Sequence, residues 1–128
     1  MEASRLSAIP LFAELAPDDL EALARVASEV EAAAGETIAA EDQFGHALYA
    51  IESGSVEVTK DGETLRTLGA GEIFGEIAVV AAGRRTATVL ATSPLRLIAI
   101  FKRDVWALEQ RSPETAAELR RIISARSS

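Results

Sequence analysis

A mainly β domain, a barrel or jelly roll flanked by helices, is the fold class this sequence points to, for three reasons. Between residues 31 and 101, short β-prone runs are punctuated by glycine at Gly35, Gly45, Gly54, Gly62, Gly69 and Gly71, the rhythm of a small antiparallel barrel. Residues 55–60 and 63–68 alternate apolar and polar side chains about Asp61-Gly62, a two-residue loop suited to a type I′ hairpin turn. On either side of this stretch the apolar spacing becomes helical.

Taken in order, Ile9-Pro10-Leu11-Phe12 predicts a short docking turn rather than a strand, because Pro10 lacks the N–H a ladder needs. Pro17 suits a first helical position, Asp18 and Asp19 favour the first turn, and Leu20, Leu23, Ala24, Ala27 and Val30 recur at helical spacing. That pattern predicts an amphipathic helix over 17–29. The β pattern halts at 74–80 and resumes at 88–92 and 95–101, so something inserts into the barrel between them. Beyond Phe101, Asp104, Val105, Trp106 and Leu108 fit one helix, with Trp106 read as core packing. Ser112 as cap and Pro113 at the first position open a final helix carrying an apolar stripe of Leu119, Ile122 and Ile123.

The chain has 128 residues, room for one domain that buries roughly two thirds of its unfolded surface. We divide 1–128 into a helical segment over 9–30, a β part over 31–101 and closing helices over 102–126. Hydrophobic residues make up 48% and charged residues 26%, which excludes a disordered chain. Lys and Arg number 13 against 20 Asp and Glu, and the resulting net charge of −7 repels nucleic-acid phosphates and anionic lipid, so neither is an expected partner. The absence of cysteine removes disulfides, thiolate chemistry and cysteine zinc sites, and agrees with a reducing compartment. A lone His46, read as a loop residue, cannot assemble the histidine cluster of a metal-dependent barrel enzyme, so we expect neither enzyme activity nor a cofactor. Pro10 and Glu14 interrupt the first apolar stretch, and the uncharged run at 77–83 is far shorter than the ~20 residues a spanning helix needs. A cytoplasmic location is expected.

The inserted segment reads Phe74-Gly75-Glu76-Ile77-Ala78-Val79-Val80-Ala81-Ala82-Gly83-Arg84-Arg85-Thr86-Ala87-Thr88-Val89. It resembles the phosphate-binding cassette of the cyclic-nucleotide-binding domain family, found in protein kinase A regulatory subunits, the bacterial catabolite activator protein and cyclic-nucleotide-gated channels. The family pattern is Phe-Gly-Glu, two or more apolar residues, a short turn, then Arg-(Ala/Ser/Thr)-Ala-Thr-Val, and the segment matches without a gap. Similarity extends over about 9–126, including a strand, turn and strand around Gly54 and the approach Leu68-Gly-Ala-Gly71-Glu-Ile-Phe-Gly75-Glu76. The resemblance implies an eight-stranded β-roll with an N-terminal helix, a short cassette helix starting at Gly75-Glu76, and two C-terminal helices.

The same resemblance implies a ligand set of Phe74, Gly75, Glu76, Ile77 and Ala78 on the cassette helix, Arg84, Arg85, Thr86 and Ala87 on its return, and Arg120 from the last helix. Physically, a glycine at a helix start lets the backbone approach an anion, and the free N–H groups and helix dipole favour a phosphate there. Arg85 returns across the loop with a planar guanidinium that grips two phosphate oxygens at once, so one arginine with helix amides matches a monoanionic cyclic phosphodiester. In the family the glutamate matching Glu76 accepts a hydrogen bond from the ribose 2′-hydroxyl. The Thr86 hydroxyl is placed to reach the phosphate and a guanine 2-amino group, which keeps cGMP open beside cAMP. Arg84 reads better as a surface ion-pair residue than as a contact. Ile77, Val79 and Val80 read as barrel plug, and Leu119, Arg120 and Ile123 are lid candidates over the base.

The function implied is a non-catalytic sensor for cAMP or cGMP whose C-terminal helices swing in on binding. Its output would pass to an effector protein or a fused domain such as a channel, with a homodimer through the last helix also open. The residues after Phe101 are too few for a helix-turn-helix. The alternative is a fold that no longer binds ligand and serves as an interaction module, against which the intact Gly75, Glu76 and Arg85 set weighs.

Overall fold

Helix α2 (Pro17–Val26) stops short of residue 29, because Ala27 takes extended backbone (φ −70°, ψ 142°) and leads directly into β1 (Ser28–Ala32). Val30, counted in the helical stripe, instead pairs with Leu97. A ladder running the length of β1 outweighs one more helical turn for a β-branched residue flanked by polar neighbours. The computed structural model describes residues 1–39, 47–75 and 87–127. Ahead of α2 stand a short helix α1 (Ala3–Ser7), which the sequence reading did not anticipate, and a 3-10 turn at Pro10–Phe12, the docking turn expected there. Only Leu6 of α1 is buried, so a helix this short leaves no periodic signal.

The remaining strands are β2 (Thr37–Ala39), β3 (Ala47–Ser53), β4 (Val56–Lys60), β5 (Glu63–Leu68), β6 (Ile73–Phe74), β7 (Thr88–Ala91) and β8 (Leu95–Phe101). They form two four-stranded sheets, β1-β8-β3-β6 and β2-β7-β4-β5, antiparallel throughout. Asp61 and Gly62, at φ 52° and 81°, make the expected left-handed turn between β4 and β5. Helices α3 (Lys102–Arg111) and α4 (Pro113–Ser127) close the fold, and Ser112 Oγ accepts the Thr115 N–H at 3.3 Å as the expected cap. The eight strands, N-terminal helices and two C-terminal helices are the architecture expected; the cassette helix falls outside the described residues.

Two apolar clusters lie on opposite faces of the β1-β8-β3-β6 sheet. Leu48 and Ala50 of β3, Ile98 and Ile100 of β8 and Ile73 of β6 face the helices, where they meet Leu6, Ile9, Phe12, Leu23, Val105 and Leu119. Tyr49 and Ile51, Leu95 and Leu97, and Phe74 face inward to Val56, Val58, Leu68 and Val89 of the second sheet. Burial on both faces explains why β8 is nearly continuously apolar, whereas β4, with one face wet, alternates Val56-Glu57-Val58-Thr59. Trp106 is not the core residue expected: it is 41% exposed, with Lys102 Nζ 5.7 Å from the ring centroid. Val105 and Leu108 form the buried stripe of α3, and one residue's step of about 100° turns the indole away from it.

An ion-pair cluster fastens α1 to the sheet. Arg5 Nε and Nη2 donate to the two carboxylate oxygens of Glu52 at 2.7 Å each, and Nη2 also lies 2.5 Å from Glu29 Oε1. The hydrogen bonds from Arg5 hold the Glu52 carboxyl below the usual glutamate range despite opposing desolvation. Because its folded pKa is depressed, Glu52 contributes stability that is complete above the unfolded value of about 4.3 and fades as pH falls through the folded one. In thermal melts, Glu52→Gln should therefore lower Tm near pH 7, with the gap to wild type closing in acid; a constant gap down to pH 2 would refute the linkage.

The turn between β3 and β4 has a strict glycine requirement. Gly54 lies at φ +99°, and a Cβ there would sit 2.3 Å from the Pro94 carbonyl oxygen, whereas Gly35, at φ +93°, has open space around it. Gly35→Ala should cost only the left-handed backbone term of ~1 kcal/mol, and Gly54→Ala ~3 kcal/mol or more because backbone must shift as well. Chemical denaturation of both variants checks this; equal losses would contradict it.

Candidate functional site

The segment that interrupts the β pattern leaves one sheet and re-enters the other. Before it, Gly71 N–H donates to the Ile51 carbonyl at 2.8 Å, Ile51 N–H to the Glu72 carbonyl at 2.9 Å, and Glu72 Oε1 accepts the Gly69 N–H at 3.1 Å. These bonds seat β6 on the edge of β3, with Phe74 opposite Tyr49 and Ile73 opposite Ala50. The Phe74 and Tyr49 rings stack, centroids 5.0 Å apart and planes 21° from parallel. Gly75 follows at φ 83°, where the chain turns off the sheet edge in a conformation that disfavours a side chain.

The chain is next described at Ala87, partly buried against the inner cluster, and then pairs Thr88 with Thr59 and Val89 with Val58. Phe74 and Ala87 thus belong to one cluster between the sheets, although β6 and β7 lie in different sheets.

Of the expected ligand set, Phe74, Gly75, Ala87 and Arg120 fall among the described residues; Phe74 and Ala87 share the inner cluster, and Gly75 directly follows Phe74. Glu76, Ile77, Ala78, Arg84, Arg85 and Thr86 lie outside the described residues, as do Val79, Val80 and His46. Arg120 is exposed on α4, while its neighbour Leu119, one of the two apolar lid candidates, is 1% exposed in the helical cluster. The Ile123 side chain lies outside those described. Tyr49 was missed by the sequence reading; its period-two relation to inward-facing Ile51 was the available signal. Among the described residues there is no acidic, histidine or cysteine group fit to hold a metal ion, and no helix long and apolar enough to cross a membrane.

Two four-stranded antiparallel sheets enclosing an apolar interior, with helices packed on one outer face, define a β-roll domain. More particularly, residues 29–112 match the sequence model of the cyclic nucleotide-binding domain, and the chain belongs to that family. It is 32% identical over 122 residues to the cyclic AMP receptor protein of Thermus thermophilus, covering 91% of this chain and 56% of that protein. With a cyclic nucleotide-gated potassium channel of Rhizobium etli it shares 31% identity over 116 residues, covering 91% of this chain and 32% of the channel. The structure of cAMP-bound PfPKA-R superposes with a TM-score of 0.91 at 21% identity, covering 99% of this chain and 44% of that one, a likeness of fold. This chain therefore spans from 32% to 56% of the length of these longer proteins.

Proposed function

We propose that this chain binds a cyclic nucleotide, cAMP or cGMP, as a non-catalytic regulatory domain. What supports the reading is the uninterrupted Gly75-Glu76…Arg84-Arg85-Thr86-Ala87 motif of the sequence, with Phe74 just before it and Ala87 at its end both in the inner cluster of the roll. Arg85 grips the phosphate together with backbone N–H groups following Gly75, and Glu76 accepts from the ribose 2′-hydroxyl. Thr86 reaches the phosphate and, for a syn guanine, the 2-amino group. Phe74, Ile77, Ala78 and Ala87 shape the apolar wall, Arg84 lies at the rim and Arg120 is the residue from α4 that reaches the base.

Binding draws α3 and α4 toward the cassette, and that movement is the output. The matched relatives are longer proteins, one named as a receptor and one as a channel, which supports delivery of the output to a fused or separate effector in the cytoplasm.

Calorimetry with each nucleotide tests the reading. Arg85→Ala should cost ~2 to 5 kcal/mol of binding, more than tenfold in Kd, as for removing one partner of a desolvated charge pair. Unchanged affinity would remove the pocket, and absence of heat with both nucleotides in wild type would leave a fold serving protein interaction. A second titration isolates Glu76: 2′-deoxy-cAMP should bind wild type more weakly than cAMP, and Glu76→Ala about equally to both, whereas a preserved difference in the variant would reassign the ribose contact.

A further inference from the structure

Away from the cassette, a groove of about 510 Å³ runs between the 3-10 turn, the turn entering β6 and the first half of α4. Its apolar surface comes from Pro10, Leu11, Ile73 and Ile122, and four carboxylates, Glu14, Glu72, Glu114 and Glu118, line it; among the described residues that line it none is basic. Glu118 is held by Arg121 and Glu72 by the Gly69 N–H, while Glu14 and Glu114 are exposed. Positions 114, 115, 118 and 122 lie on one face of α4, so the groove follows that helix for about two turns, or ~12 Å.

A channel that parallels a helix, is apolar below and acidic along its edges complements one kind of ligand. We propose that it is a docking site for a cationic amphipathic helix of a partner protein, apolar side chains down and Lys or Arg toward the glutamates. The carboxylates repel nucleic acid and anionic membrane, and a two-fold contact with a second copy would bring the same acidic edges together. The proposal does not rest on the nucleotide reading, although the α4 movement proposed above would reshape one wall of the groove.

The test uses the full chain, isotope-labelled and free of nucleotide, titrated with a synthetic amphipathic peptide bearing leucine on one face and lysine on the other. Amide shifts should concentrate in residues 10–14, 71–73 and 114–122. The double variant Glu14→Gln/Glu114→Gln, verified as folded by its spectrum, should bind about tenfold more weakly. Glu63→Lys, an equal charge change at the exposed start of β5, should leave affinity unchanged. Shifts scattered over the acidic surface, or equal weakening by Glu63→Lys, would overturn the site as non-specific attraction. Groove shifts that grow with protein concentration alone would overturn the partner in favour of self-association. Any of these failures would leave the nucleotide reading intact, since no nucleotide is present.

Discussion

Strand β8 has water on neither face of its central residues, and most of the architecture follows from that. Ile98 and Ile100 bury against helices and Leu95 and Leu97 against the second sheet, so one strand belongs to both cores. Its neighbours β1 and β3 flank it, and β3 repeats the division with Leu48 and Ala50 on one side and Ile51 on the other. A one-residue slip in register would exchange every inward and outward side chain at once, which fixes the pairing strongly. The helices are consequently not appendages: without α1, α2, α3 and α4, one face of this sheet would present its apolar residues to water.

The same division reaches the two residues of β6, where it joins the site to the helices. Ile73 faces the helical cluster and the acidic groove, whereas the adjacent Phe74 faces the inner cluster and stacks on Tyr49 just before the cassette begins. Interiors packed at crystal density accommodate changes by discrete repacking rather than by smooth deformation. A displacement of this short strand is therefore shared by the cassette entrance on one face and the helical layer on the other. In the sequence that follows β6, Arg84 and Arg85 stand side by side in a chain whose net charge is −7.

Much of the fold was legible because its signals were local. The Asp61-Gly62 turn, the Ser112-Pro113 helix start and the limits of β5 and β8 depend on near neighbours and stand where the sequence puts them. The errors share a different cause. The end of α2 and the exposure of Trp106 depend on partners distant in the chain, Leu97 for Val30 and the sheet-facing choice of Val105 and Leu108 for the indole. Helix α1 is too short to be periodic, and its tie to Glu52 and Glu29 spans sequence distances no local pattern encodes. The family was readable from one contiguous motif, while the stacking of Tyr49 on Phe74 needed the pairing of β3 with β6 that no local pattern gives.

Trp106 is the chain's one tryptophan, and its half-exposed ring sits on α3 beneath the Lys102 ammonium rather than within the roll. Intrinsic fluorescence excited at the indole thus reports the surroundings of a single closing helix, uncontaminated by emission from the β core. The molecule carries its own spectroscopic gauge of that helix, readable without a dye, a label or an engineered residue.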